Sequence, residues 1–147
     1  MKSSYLVDDV ILLLKDISGV VKPLPTEERE KLIQQGTHYC EMLPLEYKPT
    51  EKYIRIYEKA LEVFGQTTAD AVARVSDKIV EAKGKDVVIV SLARAGTPLG
   101  VLIRRYIRKK YDFECPHYSI SIIRDRGIDR NAVNYILQRH APESIQF

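Results

Sequence analysis

The sequence predicts an α/β protein in which N-terminal helices lead into a parallel sheet that begins at Asp86. Three observations carry this prediction. Asp86–Leu92 reads Asp-Val-Val-Ile-Val-Ser-Leu, the continuous β-branched run of a strand covered on both faces. A turn and a helical stretch follow it, then a second strand-like run, a second helical stretch and a third apolar segment. That β-α-β-α-β order argues for a doubly wound parallel sheet. Upstream of Asp86, apolar residues recur at helical rather than strand spacing.

Taken in order, Tyr5–Ile17 reads as a helix or apolar-faced docking segment, with Leu6, Val10, Leu13, Leu14 and Ile17 on one side and Ser18-Gly19 ending it. Lys22-Pro23-Leu24-Pro25 is an extended spacer, because each proline steers its predecessor away from helix. Thr26 is a suitable N-cap, with Glu27 and Glu28 in the positive first turn. That helix runs to about Gln35, and Gly36 suits its C-terminus. Thr37–Pro49 is a long irregular stretch too rich in Tyr, Met and Leu for disorder, and loops of this length commonly carry function.

Thr50 caps a further helix, Glu51–Phe64, closed by Gly65, with Tyr53, Ile56, Tyr57, Ala60, Leu61 and Phe64 as its buried stripe. Thr67 or Thr68 starts another helix that reaches Lys83, and Gly84 ends it. After the Asp86 strand comes the turn Ala93–Gly100, then a helix over Pro98–Tyr111, with Pro98 in its first turn. Pro116–Ile123 is the second strand. Arg124-Asp125-Arg126-Gly127 is a polar turn, Asp129 caps a helix to about His140, and Ser144–Phe147 begins a third strand.

Residues 1–84 thus form an N-terminal helical segment containing the loop 37–49, and residues 85–147 open the sheet, the two together making one structural domain. An α/β domain seldom stops on a short apolar strand, so the chain is expected to be a fragment from the N-terminal part of a longer protein. The open sheet edge at Phe147 also makes a homo-oligomer, or the missing part of the same protein, an expected partner.

Composition narrows the function classes. Apolar residues make up 45% of the chain, which favours a packed globule over disorder. No stretch approaches the roughly 20 apolar residues of a membrane span, and no secretory leader pattern opens the chain, so the cytoplasm is the expected location. Two cysteines, Cys40 and Cys115, make no disulfide framework. The three histidines are too scattered to suggest a metal site. Lys85–Arg130 carries ten Lys/Arg against five Asp/Glu, a basic balance that suits an anionic small molecule. Arg104, Arg105, Arg108, Lys109 and Lys110 sit at the end of a helix, where the macrodipole favours cations. With no nucleic-acid module in the sequence, they give little support to nucleic-acid binding.

Two segments have residues suited to ligand chemistry. Ser91-Leu92-Ala93-Arg94-Ala95-Gly96-Thr97-Pro98 joins a buried strand to a helix, the place where open parallel sheets bind ligands. Gly96 permits close backbone approach, the helix N-terminus offers free N–H groups to an anion, Arg94 supplies a planar fork for phosphate, and Thr97 can cap the helix and donate a hydroxyl. The alternative is a plain turn in which Arg94 pairs with a carboxylate. Arg124-Asp125-Arg126 falls at the C-terminal end of the next strand, on the same rim. There the two guanidiniums could clamp a phosphate while Asp125 holds a ribose hydroxyl or Mg²⁺, or the turn could simply close on its own Arg–Asp pairs. A cysteine-protease reading would use Cys40 with His38 or His117, or Cys115 with His117, since residues two apart on a strand share a face.

The Arg94-Ala95-Gly96 loop resembles the first active-site loop of type I phosphoribosyltransferases. A longer resemblance rests on His38-Tyr39-Cys40-Glu41-Met42-Leu43-Pro44, on Val90–Pro98 and on Pro116–Asp129. These segments are similar to a bacterial and phage family that accompanies tellurium-resistance (Ter) stress operons. Its members are described as phosphoribosyltransferase-like, and the same family is also labelled StiP cysteine proteases. The resemblance implies a truncated sheet of the phosphoribosyltransferase type. It implies a parent protein acting on a phosphoribosyl or nucleotide-type ligand, with phosphoribosyl diphosphate and Mg²⁺, in a stress-linked nucleoside-like pathway. In that reading Arg94, Ala95, Gly96, Thr97 and Arg124 bind diphosphate, Asp125 and Arg126 are catalytic, and His38 and Tyr39 close over the site. The alternatives are a StiP-type cysteine protease, or a fragment that serves only as scaffold. The family pattern continues past Phe147 into an Asp-Gly-rich loop, and commonly has Ser at the position of Cys40.

Overall fold

The protein is described by a computed structural model covering residues 3–147. Two compact units emerge: the described residues through Leu14 with Val63–Phe147, and Lys15–Glu62.

The larger unit holds the sheet. Strand β1 is Ile11–Leu12, β4 is Val88–Ala93, β5 is His117–Ile123, β6 is Gly127–Ile128 and β7 is Ile145–Gln146, while β2, Pro23–Leu24, and β3, Leu43–Pro44, lie in the other unit. The strand order is β1-β5-β4-β7, with β6 added to β5. The β1–β5, β4–β5 and β4–β7 pairs are parallel, and only β5–β6 is antiparallel. The expected mixed α/β class with a mostly parallel sheet is therefore present.

Alternation along β4 and β5 sorts their side chains to two faces. Val88, Val90, Tyr118 and Ile120 pack on one side with Ala132 and Ile136 of helix α4, Arg130–Leu137. Val87, Ile89 and Cys115 pack on the other with Ile107 of helix α3, Gly96–Tyr111. Both faces are covered, as the β-branched run of β4 requires.

Two expected elements change. The Tyr5–Ile17 periodicity does not yield a helix. Residues 11–12 instead form an edge strand on β5, and the Leu13 N–H continues the ladder to the Ser119 carbonyl at 3.0 Å. Asp9, just before that strand, is buried and ion-paired with Arg105 of α3, a tertiary anchor that outweighs local helical spacing. The break expected at Gly65 is also absent, because helix α2 runs unbroken over Glu51–Lys83. Thr50 caps its start by accepting from the Tyr53 N–H. No helix among the described residues is long and apolar enough to cross a membrane.

Gly65 lies inside that helix without a left-handed φ, and a Cβ there would meet nothing within 4 Å. Gly65→Ala should therefore stabilise the protein by about 0.5–1 kcal/mol, through the backbone freedom removed from the unfolded chain. A denaturation midpoint unchanged or lowered would show that the helix does not pass straight through this residue.

The smaller unit contains helix α1, Thr26–Gln34, and a two-stranded parallel pair of β2, Pro23–Leu24, with β3, Leu43–Pro44. Pro25, not Thr26, occupies the N-cap position of α1, and no side chain caps it. Between α1 and β3 the chain makes a 3₁₀ turn at Tyr39–Glu41.

Candidate active site

The 3₁₀ turn is built by its own side chains. His38 is its N-cap, and His38 Nδ1 accepts the Cys40 N–H at 3.3 Å. A backbone N–H only donates, so this nitrogen carries the lone pair. Cys40 Sγ lies 2.9 Å from the same nitrogen, and the thiol is therefore the donor toward it. The Tyr39 ring sits 4.6 Å from the imidazole, centroid to centroid, at an interplanar angle of 36°. Both His38 and Cys40 are partly exposed. A thiol hydrogen-bonded to an unprotonated imidazole is the geometry in which a base draws off the thiol proton.

Cys115 offers the opposite environment. It is 1% exposed, and burial pushes its thiol up to about 11, with Arg104 offsetting this only in part. Cys115 and His117 do share a face, yet both ring nitrogens of His117 are engaged elsewhere: Nδ1 lies 2.9 Å from the Asp9 carbonyl and Nε2 lies 2.8 Å from Ser91 Oγ. The structure brings Cys40 to His38 and leaves Cys115 without an imidazole nitrogen.

The rim residues are placed as parallel topology dictates. Arg94 and Ala95 are exposed at the C-terminal end of β4, and Gly96 starts α3. Thr97 does not face outward: it is 3% exposed, and its hydroxyl is hydrogen-bonded to Ser119 Oγ at 2.7 Å. Arg124, Asp125 and Arg126 form the tip of a hairpin, because β6 folds back on β5 with Ile123 opposite Gly127. Asp125 adopts a left-handed φ of 64° and Gly127 one of 93°, which suits a tight three-residue connection. Asp129 caps α4 by accepting the Asn131 and Ala132 N–H groups.

A family model described as "Tellurite-like stress resistance cysteine protease StiP" matches residues 3–147. The chain belongs to this family. Among curated proteins it is similar to "Cysteine protease StiP" of Acinetobacter baylyi, with 41% identity over 145 residues. The aligned region covers 98% of this chain and 37% of that relative's length. No solved structure matches the chain.

These findings overturn the phosphoribosyltransferase function expected above, because the matching family and the relative both carry a cysteine-protease description. The features behind that expectation, a guanidinium and a glycine where a strand meets a helix, recur on many parallel sheets and do not specify a reaction.

Sequence reasoning did not anticipate the Ser91–His117 contact. Alternation places positions 89 and 91 on one face of β4, and 117 and 119 on one face of β5. Only the register, Ile89 opposite His117 and Ser91 opposite Ser119, shows that Ser91 and His117 are diagonal neighbours.

Proposed function

We propose that this chain contributes the nucleophile of a StiP-type cysteine protease linked to stress resistance, with Cys40 as the attacking thiol and His38 as its base. The observation that carries this reading is the 2.9 Å contact between Cys40 Sγ and the lone-pair nitrogen of His38. In the reaction, His38 Nδ1 takes the thiol proton and Sγ bonds to the carbonyl carbon of a peptide. The C–N bond breaks as the proton passes to the leaving amine, and water then releases the acyl group and restores the thiol. Such a thiol requires a reducing compartment, so the cytoplasm is the proposed site of action.

Iodoacetamide labelling of this chain at pH 7.5, followed by peptide mapping, tests the assignment. Burial pushes the Cys115 thiol up to about 11, so it is almost wholly protonated at that pH and should stay unlabelled while the chain is folded. Cys40 should label readily, and His38→Ala should slow it roughly tenfold or more. A Cys40 rate indifferent to His38→Ala would end this reading.

A further inference from the structure

The larger unit contains a second nucleophile–base pair, independent of the cysteine. The Asp9 carbonyl can only accept, so His117 Nδ1 bears the proton and donates at 2.9 Å. This leaves the lone pair on Nε2, and the Ser91 hydroxyl donates to it at 2.8 Å. The Tyr118 carbonyl, 3.4 Å from Ser91 Oγ, is the weaker alternative acceptor. The order is hydroxyl, imidazole and an acceptor that holds the ring in one tautomer, which is the arrangement that activates a serine.

The surroundings fit that role. Ser91 lines a half-open cleft of about 520 Å³ whose other walls are largely apolar, among them Ile79, Leu99, Ile103 and Phe147. Gly96, the first residue of α3, lines the same cleft, and a Cβ built on it would stand 3.7 Å from Ser91 Cβ. Of the first groups of α3, the Thr97 N–H is bonded to the Arg94 carbonyl at 3.2 Å and Pro98 has no N–H, which leaves the Gly96 N–H as the candidate donor to an oxyanion in this cleft. His117 is 2% exposed, and burial holds its imidazole below the usual histidine range, hence neutral near pH 7. Asp9 and Arg104 are the charged groups acting on it, the first favouring protonation and the second opposing it.

We propose that Ser91, with His117 as its base, is an acyl-accepting nucleophile for esters carrying an apolar acyl group. Ser91 Oγ bonds to the ester carbonyl carbon while His117 Nε2 takes the hydroxyl proton. The ester C–O bond breaks, and that proton passes to the departing alkoxide. Water, deprotonated by the same nitrogen, then cleaves the acyl-serine, releasing the carboxylic acid and regenerating the hydroxyl.

An alkyl fluorophosphonate applied to this chain, with the adduct located by mass spectrometry, decides the matter. The expected adduct is on Ser91, forming at least tenfold faster than on any other serine, and slowed at least tenfold in His117→Asn. Cys40→Ala should leave it unchanged, which separates this site from the thiol. Far-ultraviolet dichroism of each variant establishes that it is folded. Should His117→Asn not fold, a Ser91→Cys chain labelled by iodoacetamide faster than its Cys115 would equally support the cleft nucleophile. No adduct on Ser91 in the folded wild-type chain, or one no faster than on surface serines, overturns the proposal and leaves the pair as a hydrogen bond within the core.

Discussion

Gly100→Ala is expected to destabilise the protein by about 3 kcal/mol, at the upper end of the penalty for overpacking a core. Gly100 lies one turn into α3 and is buried against the His117 ring. A Cβ at this position would overlap Nε2 and stand 2.7 Å from Cε1, so the imidazole would have to move. It has little freedom to do so, because both nitrogens are hydrogen-bonded and the ring is 2% exposed. Displacing it would also leave the Ser91 hydroxyl and the Asp9 carbonyl without that partner, and unsatisfied buried polar groups add a penalty of about 1–3 kcal/mol each. Urea denaturation of Gly100→Ala beside Gly65→Ala supplies an internal control. Both changes place the same methyl on a helical glycine, and the stability changes should have opposite signs. A Gly100→Ala protein within about 0.5 kcal/mol of wild type would mean that the ring is not locked as described.

That contrast also marks how far the sequence could be read. The strand at Asp86–Leu92 was legible because a β-branched run of that length has few other stable placements, and α4 followed from its cap, since Asp129 does what an aspartate before an apolar run should do, whereas α3 starts at Gly96 with no side-chain cap and Thr97 inside it. The third strand at Ile145 pairs with β4 as the β-α-β-α-β order requires. The failures have a common origin in partners distant along the chain. Leu6, Val10 and Leu13 fit a helix, but the open edge of β5 and the cation of Arg105 lie about a hundred residues away and draw this segment into the sheet. Gly65 resembles a stop signal, yet a glycine without a left-handed φ merely weakens a helix, and the stripe from Tyr53 to Phe64 that was expected to be buried is instead exposed, with Leu61 at 59% and Phe64 at 61%. The Arg124–Arg126 turn was visible, but the returning strand β6 is only two residues long and leaves no periodicity to detect.

The candidate site was legible to a different degree. Cys40 with His38 was one of three cysteine–histidine pairings the sequence left open, and theirs is the contact local enough for short spacing to hint at it. Assigning the rim loop to phosphate chemistry was the misleading step. A helix start with Arg and Gly nearby favours anions on general electrostatic grounds, and general grounds cannot choose between a transferase and a protease. Ser91 and His117 were both visible as residues. Their pairing was not, since it depends on a register between two strands that pack side by side but lie 26 positions apart.

Acid should destabilise this protein through His117. Burial lowers its folded-state pKa, and this outweighs the hydrogen bond from Nδ1 to the Asp9 carbonyl, which acts in the other direction. The unfolded chain takes up a proton at His117 near the ordinary value of 6.5, whereas the folded chain resists protonation until lower pH. Between those two pKa values the unfolded state therefore binds more protons, and stability falls as the pH falls, with a slope that approaches about 1.4 kcal/mol per pH unit for one such group. The contribution is fully present above pH 6.5 and is lost as the pH drops toward the folded value. His117→Asn removes the titration while retaining a donor for the Asp9 carbonyl. That variant is expected to be less stable than wild type at pH 8, where the loss of the ring's packing dominates, and to close much of the gap by pH 5.5. His38 and His140 remain in both proteins, so they drop out of the comparison. Parallel loss of stability in wild type and His117→Asn across this range would show that His117 is not protected from protonation, and it would remove the neutral base on which the Ser91 site depends.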